Sequence, residues 1–381
     1  MLLLLVTGAA ASAVASAQPH SSAVAAAQPH LSGIFVYITG TTANWTGEQW
    51  TTDLAAMQAV GMTFAVLPHL ARQTATPPDA ECPLGYFDAL FNATGLGACF
   101  TQTGTAEHGG AVETVLKAAA GLGMKLQLGL ANSGELATHN PGYNSTLAQH
   151  YAWVQSQVAE RLFEIATTMG LADSVSGFYT EIEEYNAAWW LGLWDAWAEQ
   201  YLGPVSKRIK LLRSDLIVWA SPYSVGNMTR YEPKNIIDYE AYGAIWGQVF
   251  DWAPDFDLVS PQDSMGAQGN SYENASDCLG NITLGGMRAQ RPRTTWSNVE
   301  LFETWGAKGT GRHPAAFERF QKQIENEWGV LQNVGGIAEP VLIAWEWYSC
   351  LSPNGGADNE WANVTKANYE RYKAWVTNDE G

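Results

Sequence analysis

The sequence predicts an α/β protein whose residues 32–381 form a single (β/α)8 barrel, or TIM barrel. Two observations support this class. Short apolar runs alternate with helix-forming segments along the range, and acidic residues follow several of these runs. In such a barrel the strands end at one face, where the following loops form a cleft. A doubly wound sheet is the main alternative, but it usually has a glycine-rich first turn, and the sequence has no G-x-G-x-x-G motif.

Eight apolar runs are the predicted strands of this barrel. They lie at residues 32–38, 63–67, 125–130, 177–183, 216–221, 256–260, 293–300 and 340–346. Amphipathic segments follow most of them. The predicted helices lie at residues 46–60, 111–122, 150–169, 189–213, 233–250, 314–331 and 359–376. The segment after the sixth strand is the poorest helix candidate, because glycines and two glycosylation sequons interrupt it.

A long loop is predicted after the second strand, over residues 70–108. It is too long to be a simple connection. Cys82 and Cys99 flank part of it, and we predict a disulfide between them, which leaves Cys278 to pair with Cys350. Four cysteines allow three pairings in all. The chain has no CxxC motif, and no histidine lies close to the cysteines in sequence, so we expect no metal site.

The first 31 residues are predicted to precede the barrel domain. Residues 1–17 are apolar, rich in small residues and end in Ala15-Ser-Ala17, which is typical of a secretory signal peptide. Residues 18–31 form a low-complexity spacer. Seven glycosylation sequons occur, at Asn44, Asn92, Asn144, Asn227, Asn274, Asn281 and Asn363. Together these features predict a secreted, extracellular glycoprotein.

Charge and composition narrow the range of partners. The formal net charge of −18 argues against nucleic acids and anionic membranes, which bind basic patches. No apolar run of 18 or more residues follows the leader, so we expect no membrane span. The 17 tryptophans predict a Trp-rich core, with a few rings in a binding cleft where they can stack on sugar rings. We expect a monomer that uses no cofactor.

Acidic residues are concentrated at the ends of the predicted strands. Glu181 and Glu183 lie at the end of the fourth strand, Asp263 follows the sixth, Glu300 ends the seventh and Glu346 ends the eighth. A carboxylate is costly to place beside an apolar strand, so chance does not favour this distribution. In a barrel these strand ends converge on one face.

Two converging carboxylates are the groups that glycoside hydrolysis requires. One acts as acid and base on the leaving oxygen, and the other attacks the sugar or activates a water molecule. Neighbouring polar and aromatic residues are candidates for contact with the sugar, although the tryptophans among them fit a core position equally well. The candidate substrate-binding residues are Asp263, Gln262, Asn298, Tyr223, Tyr179, Trp296, Glu346 and Trp347.

Four short motifs carry a resemblance to a known family. Gly177-Phe-Tyr-x-x-x-Glu183, Ser221-Pro-Tyr223, Gln262-Asp263 and Trp296-Ser-Asn-Val-Glu300 resemble an uncharacterised-domain family of glycosyl-hydrolase-like (β/α)8 barrels, over about residues 32–375. Their placement is also similar to the clan of retaining glycosidases that has acids after strands four and seven.

The similarity to this clan implies roles for three acids. Glu183 or Glu181 would be the acid/base, and Glu300 would be the nucleophile. The clan usually has Asn before its strand-four glutamate, whereas Thr180 precedes Glu181 and Ile182 precedes Glu183. The choice between the two glutamates therefore stays open.

Three functions follow from these patterns. The leading hypothesis is a secreted glycoside hydrolase that cleaves a neutral oligo- or polysaccharide with retention. The second is a non-catalytic, carbohydrate-binding barrel, since a fold alone is no warrant for activity. The third is a metal-dependent hydrolase that uses the clustered acids, against which the scarcity of histidines near the strand ends argues.

Overall fold

The computed structural model describes most of the chain after the leader. The described residues are 28–38, 40–75, 86–103, 110–132, 145–181, 183–186, 192–226, 236–305, 311–355 and 361–378. The predicted signal peptide, residues 1–17, and most of the spacer, residues 18–27, lie outside these ranges.

The strands and helices alternate for most of the described chain. The strands are β1 (Gly33–Phe35), β2 (Phe64–Leu67), β3 (Ala71–Ala75), β4 (Tyr86–Ala89), β5 (Phe100–Gln102), β6 (Lys125–Gly129), β7 (Ala131–Asn132), β8 (Val175–Thr180), β9 (Ile217–Ala220), β10 (Leu258–Val259), β11 (Ser297–Glu300), β12 (Phe302–Trp305), β13 (Gly311–Pro314) and β14 (Leu342–Trp345). The helices are α1 (Gly47–Gln58), α2 (Ala111–Leu122), α3 (Ser145–Thr168), α4 (Trp194–Trp197), α5 (Gly203–Leu212), α6 (Tyr239–Trp252), α7 (Tyr272–Arg288), α8 (Phe317–Gly335), α9 (Trp347–Cys350) and α10 (Ala362–Thr377).

Eight of the strands form one parallel sheet, in the order β10-β9-β8-β6-β2-β1-β14-β11. Two isolated parallel bridges, Val259 to Thr295 and Gln262 to Asn298, join the two outer strands. The sheet is therefore nearly closed, as in a (β/α)8 barrel. Each of the eight strands overlaps a predicted one, so the sequence identified the fold class correctly.

The barrel interior is filled mainly by aromatic and branched side chains from alternate strand positions, as period-two alternation requires. These residues are Phe35, Phe64, Val66, Tyr179, Trp219, Leu258, Trp296 and Ile343. The Trp219 ring lies 4.7 Å from that of Tyr179 and 5.6 Å from that of Trp296. A second and larger apolar core lies between the sheet and the helices. The interior is thus a packed core, and the site lies at its mouth.

Local sequence signals explain how two helices begin and end. Helix α1 has the predicted capping box, in which the Thr46 side chain accepts from the Gln49 amide and the Gln49 side chain accepts from the Thr46 amide. Helix α2 has the predicted bounds and ends at Gly123, whose φ of 69° suits glycine. The predicted helix at 189–213 is instead divided into α4, a π-helical turn and α5.

The segment after β10 differs from the sequence-based prediction. The poorest predicted helix is in fact the continuous 17-residue helix α7. Its glycines allow close packing against α6, because a Cβ atom on Gly285 would lie 1.9 Å from the Gly243 carbonyl oxygen. In the same way, a Cβ atom on Gly243 would lie 2.2 Å from the Asn281 carbonyl oxygen. These glycines are thus packing residues and do not interrupt the helix.

The predicted loop at 70–108 also differs from the structure. It contributes β3, β4 and β5 to a separate sheet, in the order β5-β4-β3-β7. Cys82 lies outside the described residues, so its pairing with Cys99 stays a prediction. The predicted disulfide between Cys278 and Cys350 is wrong, because both are free, buried thiols.

A β-hairpin that the sequence analysis did not predict follows β11. Strands β12 and β13 pair antiparallel, from Phe302 opposite Pro314 to Trp305 opposite Gly311. Only Leu301 separates the hairpin from the end of β11, so its position is tied to that strand. Within the described part of the chain, no helix combines the length and apolar character needed to cross a bilayer.

Candidate active site

Residues that follow several barrel strands share one small cavity of about 180 Å³. Glu300 is the last residue of β11, Trp345 is the last residue of β14, and Glu183 lies three residues beyond β8. The cavity wall includes Glu183, Tyr223, Gln262, Glu300, Arg312 and Trp345. Because parallel strands all end on the same side, two carboxylates that are 117 positions apart in sequence line one cavity at the mouth of the barrel.

Glu183 is held in this wall by an amide. The Gln262 side-chain nitrogen donates to Glu183 Oε1 at 3.2 Å and to the Ser221 carbonyl at 2.9 Å. Burial raises the pKa of Glu183, and the nearby charge of Glu181 adds to this increase. His69 and the Gln262 hydrogen bond act in the opposite direction but do not cancel it. Glu183 therefore holds a proton to higher pH than an ordinary glutamate does.

Glu181 has a different environment. It is buried, with its Oε2 2.7 Å from His69 Nδ1 and its Oε1 accepting from the His69 backbone amide at 2.7 Å. Burial by itself lowers the pKa of His69, but the charge and hydrogen bond of Glu181 outweigh it, so that the pKa is raised. Glu181 is thus the partner of His69 and is absent from the lining of the shared cavity.

The glutamate–histidine pair depends on backbone geometry on both sides. His69 has a φ of 57°, in the left-handed region, which directs its amide toward Glu181. Opposite it, a Cβ atom on Gly129 would lie 2.2 Å from Glu181 Oε1. His69 was not among the predicted site residues, because a single histidine gives no signal until its partner on another strand is known.

Glu300 is buried beside a second acid. Its Oε2 accepts from the Ala267 amide at 2.7 Å, and its own backbone amide donates to Asp263 Oδ1 at 3.3 Å. Asp263 also accepts from the Gln323 side chain at 2.6 Å. Burial raises the pKa of Glu300 and the charge of Asp263 raises it further, while Arg312 opposes both. Asp263 is not part of the cavity lining and contacts Glu300 from behind.

A second, larger cavity of about 420 Å³ adjoins the first. Phe302, Arg312 and Trp345 belong to the walls of both. The larger wall also contains Glu346, whose Oε1 accepts from the Ser349 amide at 2.9 Å and from the Ser349 hydroxyl. Glu346 is therefore held in a fixed position, and burial raises its pKa.

Besides Asp263, four residues that were predicted to bind substrate lie in neither cavity lining. Tyr179 and Trp296 fill the barrel interior, and Asn298 is buried and donates to the Ser221 hydroxyl at 2.8 Å. Trp347 is fully buried and donates from its indole nitrogen to Asp53 at 2.8 Å. These placements support packing roles. Trp296 and Asn298 do share the inward face with Glu300, but they lie lower in the barrel than its mouth.

Several residues of the walls were not predicted from the sequence. Phe302 and Arg312 lie on the hairpin that was not predicted, and the Arg312 guanidinium lies 4.7 Å from the centre of the Phe302 ring. Tyr37 follows β1, and its hydroxyl lies 3.4 Å from His69 Nε2. The strand-forming residues Phe302, Thr304 and Trp305 were the available signal for a strand at this position. Across the described ranges, no group of three or more His, Cys, Asp or Glu side chains is arranged to hold a metal ion.

Comparison with known proteins identifies the family. A family model described as a domain of unknown function, DUF4434, matches residues 31–335. The chain belongs to the DUF4434 family. The resemblance to an uncharacterised-domain family of barrels is thereby confirmed, whereas the catalytic positions taken from the glycosidase clan remain predictions. A search among curated proteins finds no match to this DUF4434 chain.

Solved structures share the fold of this DUF4434 protein. A candidate alpha-L-fucosidase from Bacteroides thetaiotaomicron is similar with a TM-score of 0.63 and 16% identity, over 92% of this chain and 96% of the other. A beta-galactosidase from the psychrophilic Marinomonas ef1 has a TM-score of 0.50 and 10% identity, over 91% of this chain and 59% of the other. At such identities the similarity concerns the fold alone.

Proposed function

We propose that this DUF4434 protein is a glycoside hydrolase that cleaves neutral oligo- or polysaccharides without a cofactor. The observation that carries the proposal is the pair Glu183 and Glu300 in the wall of one cavity. Trp345 and Tyr223 add aromatic faces to this wall, and Gln262 adds an amide. Aromatic faces and hydrogen-bonding groups around two carboxylates match the chemistry of a sugar ring with a scissile glycosidic bond.

The proposed mechanism proceeds with retention. Glu300 attacks the anomeric carbon and forms a covalent glycosyl ester, while Glu183 gives its proton to the leaving oxygen. Glu183 then takes a proton from the water that hydrolyses the ester. The raised pKa of Glu183 suits the first of these steps, because the acid must hold a proton at the working pH.

The contacts of the two neighbouring glutamates favour Glu183 over Glu181 as the acid/base. Both oxygens of Glu181 lie near His69, whereas Glu183 has a neutral amide partner and lines the cavity. A proton donor must exchange its proton during turnover, and a carboxylate bound to a cationic imidazole is poorly suited to do so. We propose that Glu181 keeps His69 charged near Glu183.

The nucleophile must be ionised, and the Ala267 amide and Arg312 both favour this state. Both lower the pKa of Glu300, against the effects of burial and of Asp263. Because the pKa of Glu300 in the free protein is still raised, we expect kcat/KM to increase as Glu300 loses its proton with rising pH.

The test is hydrolysis of a panel of aryl glycosides and oligosaccharides by the wild type and two variants. We expect Glu183→Gln to lower kcat/KM by about 10²–10⁴-fold. Glu300→Gln should abolish turnover, and NMR of the first product should show the anomer of the substrate. Glu325→Gln, on an exposed part of α8, is the matched control and should keep full activity. Full activity of Glu300→Gln would remove this residue from the chemistry, and binding without any release of sugar would indicate a carbohydrate-binding barrel.

The cellular context forms part of the proposal. We propose that the protein is secreted, N-glycosylated and crosslinked between Cys82 and Cys99. Among the predicted sequons, the exposed positions of Asn44 and Asn363 are compatible with attached glycans. The leader-like composition of residues 1–17 supports the same compartment.

A further inference from the structure

The two cavities at the mouth of the barrel adjoin each other and are lined by different chemical groups. The smaller one contains both proposed catalytic carboxylates, and the larger one contains neither. Phe302, Arg312 and Trp345 stand between them, since all three belong to both walls. A ligand in the smaller cavity therefore has space for a second unit on the other side of these side chains.

The larger cavity combines fixed polar groups with aromatic faces. Glu346 is held by Ser349, so its carboxylate is oriented before any ligand arrives. Arg312 faces the same space and forms no ion pair with a carboxylate among the described residues. Trp345 is half-buried and packs edge-on against Tyr37 at 4.9 Å, and Tyr348 packs against Trp45 at 5.6 Å. Rings supported in this way present rigid surfaces to a ligand.

This mixture of groups selects a polyhydroxylated, uncharged ligand. A carboxylate accepts hydrogen bonds from hydroxyl groups, a guanidinium donates to them, and aromatic faces cover the C–H face of a ring. An anionic ligand would meet Glu346 beside Arg312, and a purely apolar one would cover the Arg312 guanidinium without giving it a hydrogen-bond acceptor. The cavity volume of about 420 Å³ lies within the usual range for small-molecule sites.

We propose that the larger cavity binds a second sugar residue, so that the substrate is a neutral oligosaccharide of at least two units that spans both cavities. One unit lies between Glu183 and Glu300, and the adjoining unit lies against Trp345 and Tyr348 with its hydroxyl groups on Glu346 and Arg312. The proposal rests on the proposed function and adds the place of the second sugar unit and the side chains that bind it.

The experiment uses the full-length Glu300→Gln protein, in which bound sugars are not turned over. Gluco-, manno-, xylo- and galacto-oligosaccharides of one to four units are titrated by calorimetry. We expect a disaccharide of one series to bind about tenfold more tightly than its monosaccharide, as one added aromatic contact would give. Adding Tyr348→Ala should remove this gain and leave monosaccharide affinity unchanged.

A second variant guards against a folding defect in Tyr348→Ala. Thr41 is exposed and lies at the edge of the larger cavity, so Thr41→Trp should block the space without disturbing the core. It should also remove the gain, whereas Trp153→Ala, at an exposed position on α3, should keep it. Equal affinity for one and two units, equal weakening of both by the variants, or no binding of any series would overturn the proposal. Hydrolysis of aryl monosaccharides by the wild type would leave the proposed function standing in each of these cases.

Discussion

Asp263 lies behind the cavity wall and acts on Glu300 from there. Its carboxylate accepts a hydrogen bond from the backbone amide of Glu300, and its negative charge raises the pKa of the Glu300 side chain. Gln323 donates to it, while the Gln323 carbonyl oxygen has no hydrogen-bond partner among the described residues. Asparagine at position 263 keeps the volume and one acceptor oxygen and removes the negative charge. The Gln323 amide keeps its orientation, because its nitrogen also donates to the Glu300 carbonyl at 3.2 Å.

Asp263→Asn should shift the pH profile in a defined direction. Removal of the negative charge lowers the pKa of Glu300, so the nucleophile is ionised at lower pH and the acidic limb of kcat/KM moves to lower pH. The measurement is the pH–rate profile on the best aryl glycoside. Asp277→Asn, at an exposed position on α7, is the control and should leave the limb in place. An unchanged limb in Asp263→Asn would show that Glu300 does not set it.

Glu184 is a buried acid beside Glu183, and its burial affects the stability of the protein. It is fully buried, and neither carboxylate oxygen has a hydrogen-bond partner within the described part of the chain. Burial raises its pKa well above the ordinary value of 4.5, and the charge of Glu183 adds to the increase. The folded protein therefore holds this proton at pH values where the unfolded chain has lost it.

Glu184→Gln should make the protein more stable at neutral pH. Because the pKa of Glu184 is raised in the folded protein, its contribution to the free energy of unfolding is complete below pH 4.5. This contribution decreases as pH rises through the folded pKa, by about 1.4 kcal/mol per pH unit for a single group. Glutamine has no proton to lose. The difference in Tm between the variant and the wild type should thus grow from pH 5 to pH 8, measured by calorimetry. The exposed Glu199→Gln is the control, and a constant difference would contradict the assignment.

At the scale of elements, the contact between α6 and α7 depends on glycine. Gly243 and Gly285 bring the two backbones together, because a Cβ atom on either would overlap a carbonyl oxygen of the other helix. Glycine disfavours helix by its intrinsic preference, and for that reason this region was predicted to be a poor helix. Tertiary packing overrides that preference here, because each of the two glycines lies against the backbone of the other helix.

A matched pair of substitutions on α7 tests this explanation. Gly285→Ala places its methyl group 1.9 Å from a backbone oxygen and should destabilise the protein by about 1–3 kcal/mol. Gly280→Ala on the same helix meets only Val330 and Val334 side chains at 3.8 Å, and should stabilise by up to about 1 kcal/mol through helix propensity. Urea denaturation measures both, and equal effects of the two changes would exclude backbone approach as the cause.

For the whole molecule, the sequence was sufficient to predict the barrel but only part of its mouth. Apolar runs located all eight barrel strands, because each must bury both faces. Strand ends correctly indicated Glu183 and Glu300 as neighbours in space. The alternation of side chains along β11 predicted which residues face the barrel interior. It did not predict that Trp296 and Asn298 lie below the mouth of the barrel. The partner of Glu181 could not be found either, since His69 reaches it from another strand.

The hairpin that follows Glu300 carries Phe302 and Arg312 of the cavity wall, whereas Glu300 itself lies on a barrel strand. The hairpin is fixed at its base, where Arg319 donates to the Phe302 carbonyl at 2.9 Å and Thr304 donates to the Gly266 carbonyl at 3.0 Å. Arg312 lies on β13, the second strand of the hairpin, while the Glu300 carboxylate lies at the end of barrel strand β11. Related proteins could therefore lengthen or shorten this hairpin and change which saccharide they accept, with the bond-breaking groups left where they are.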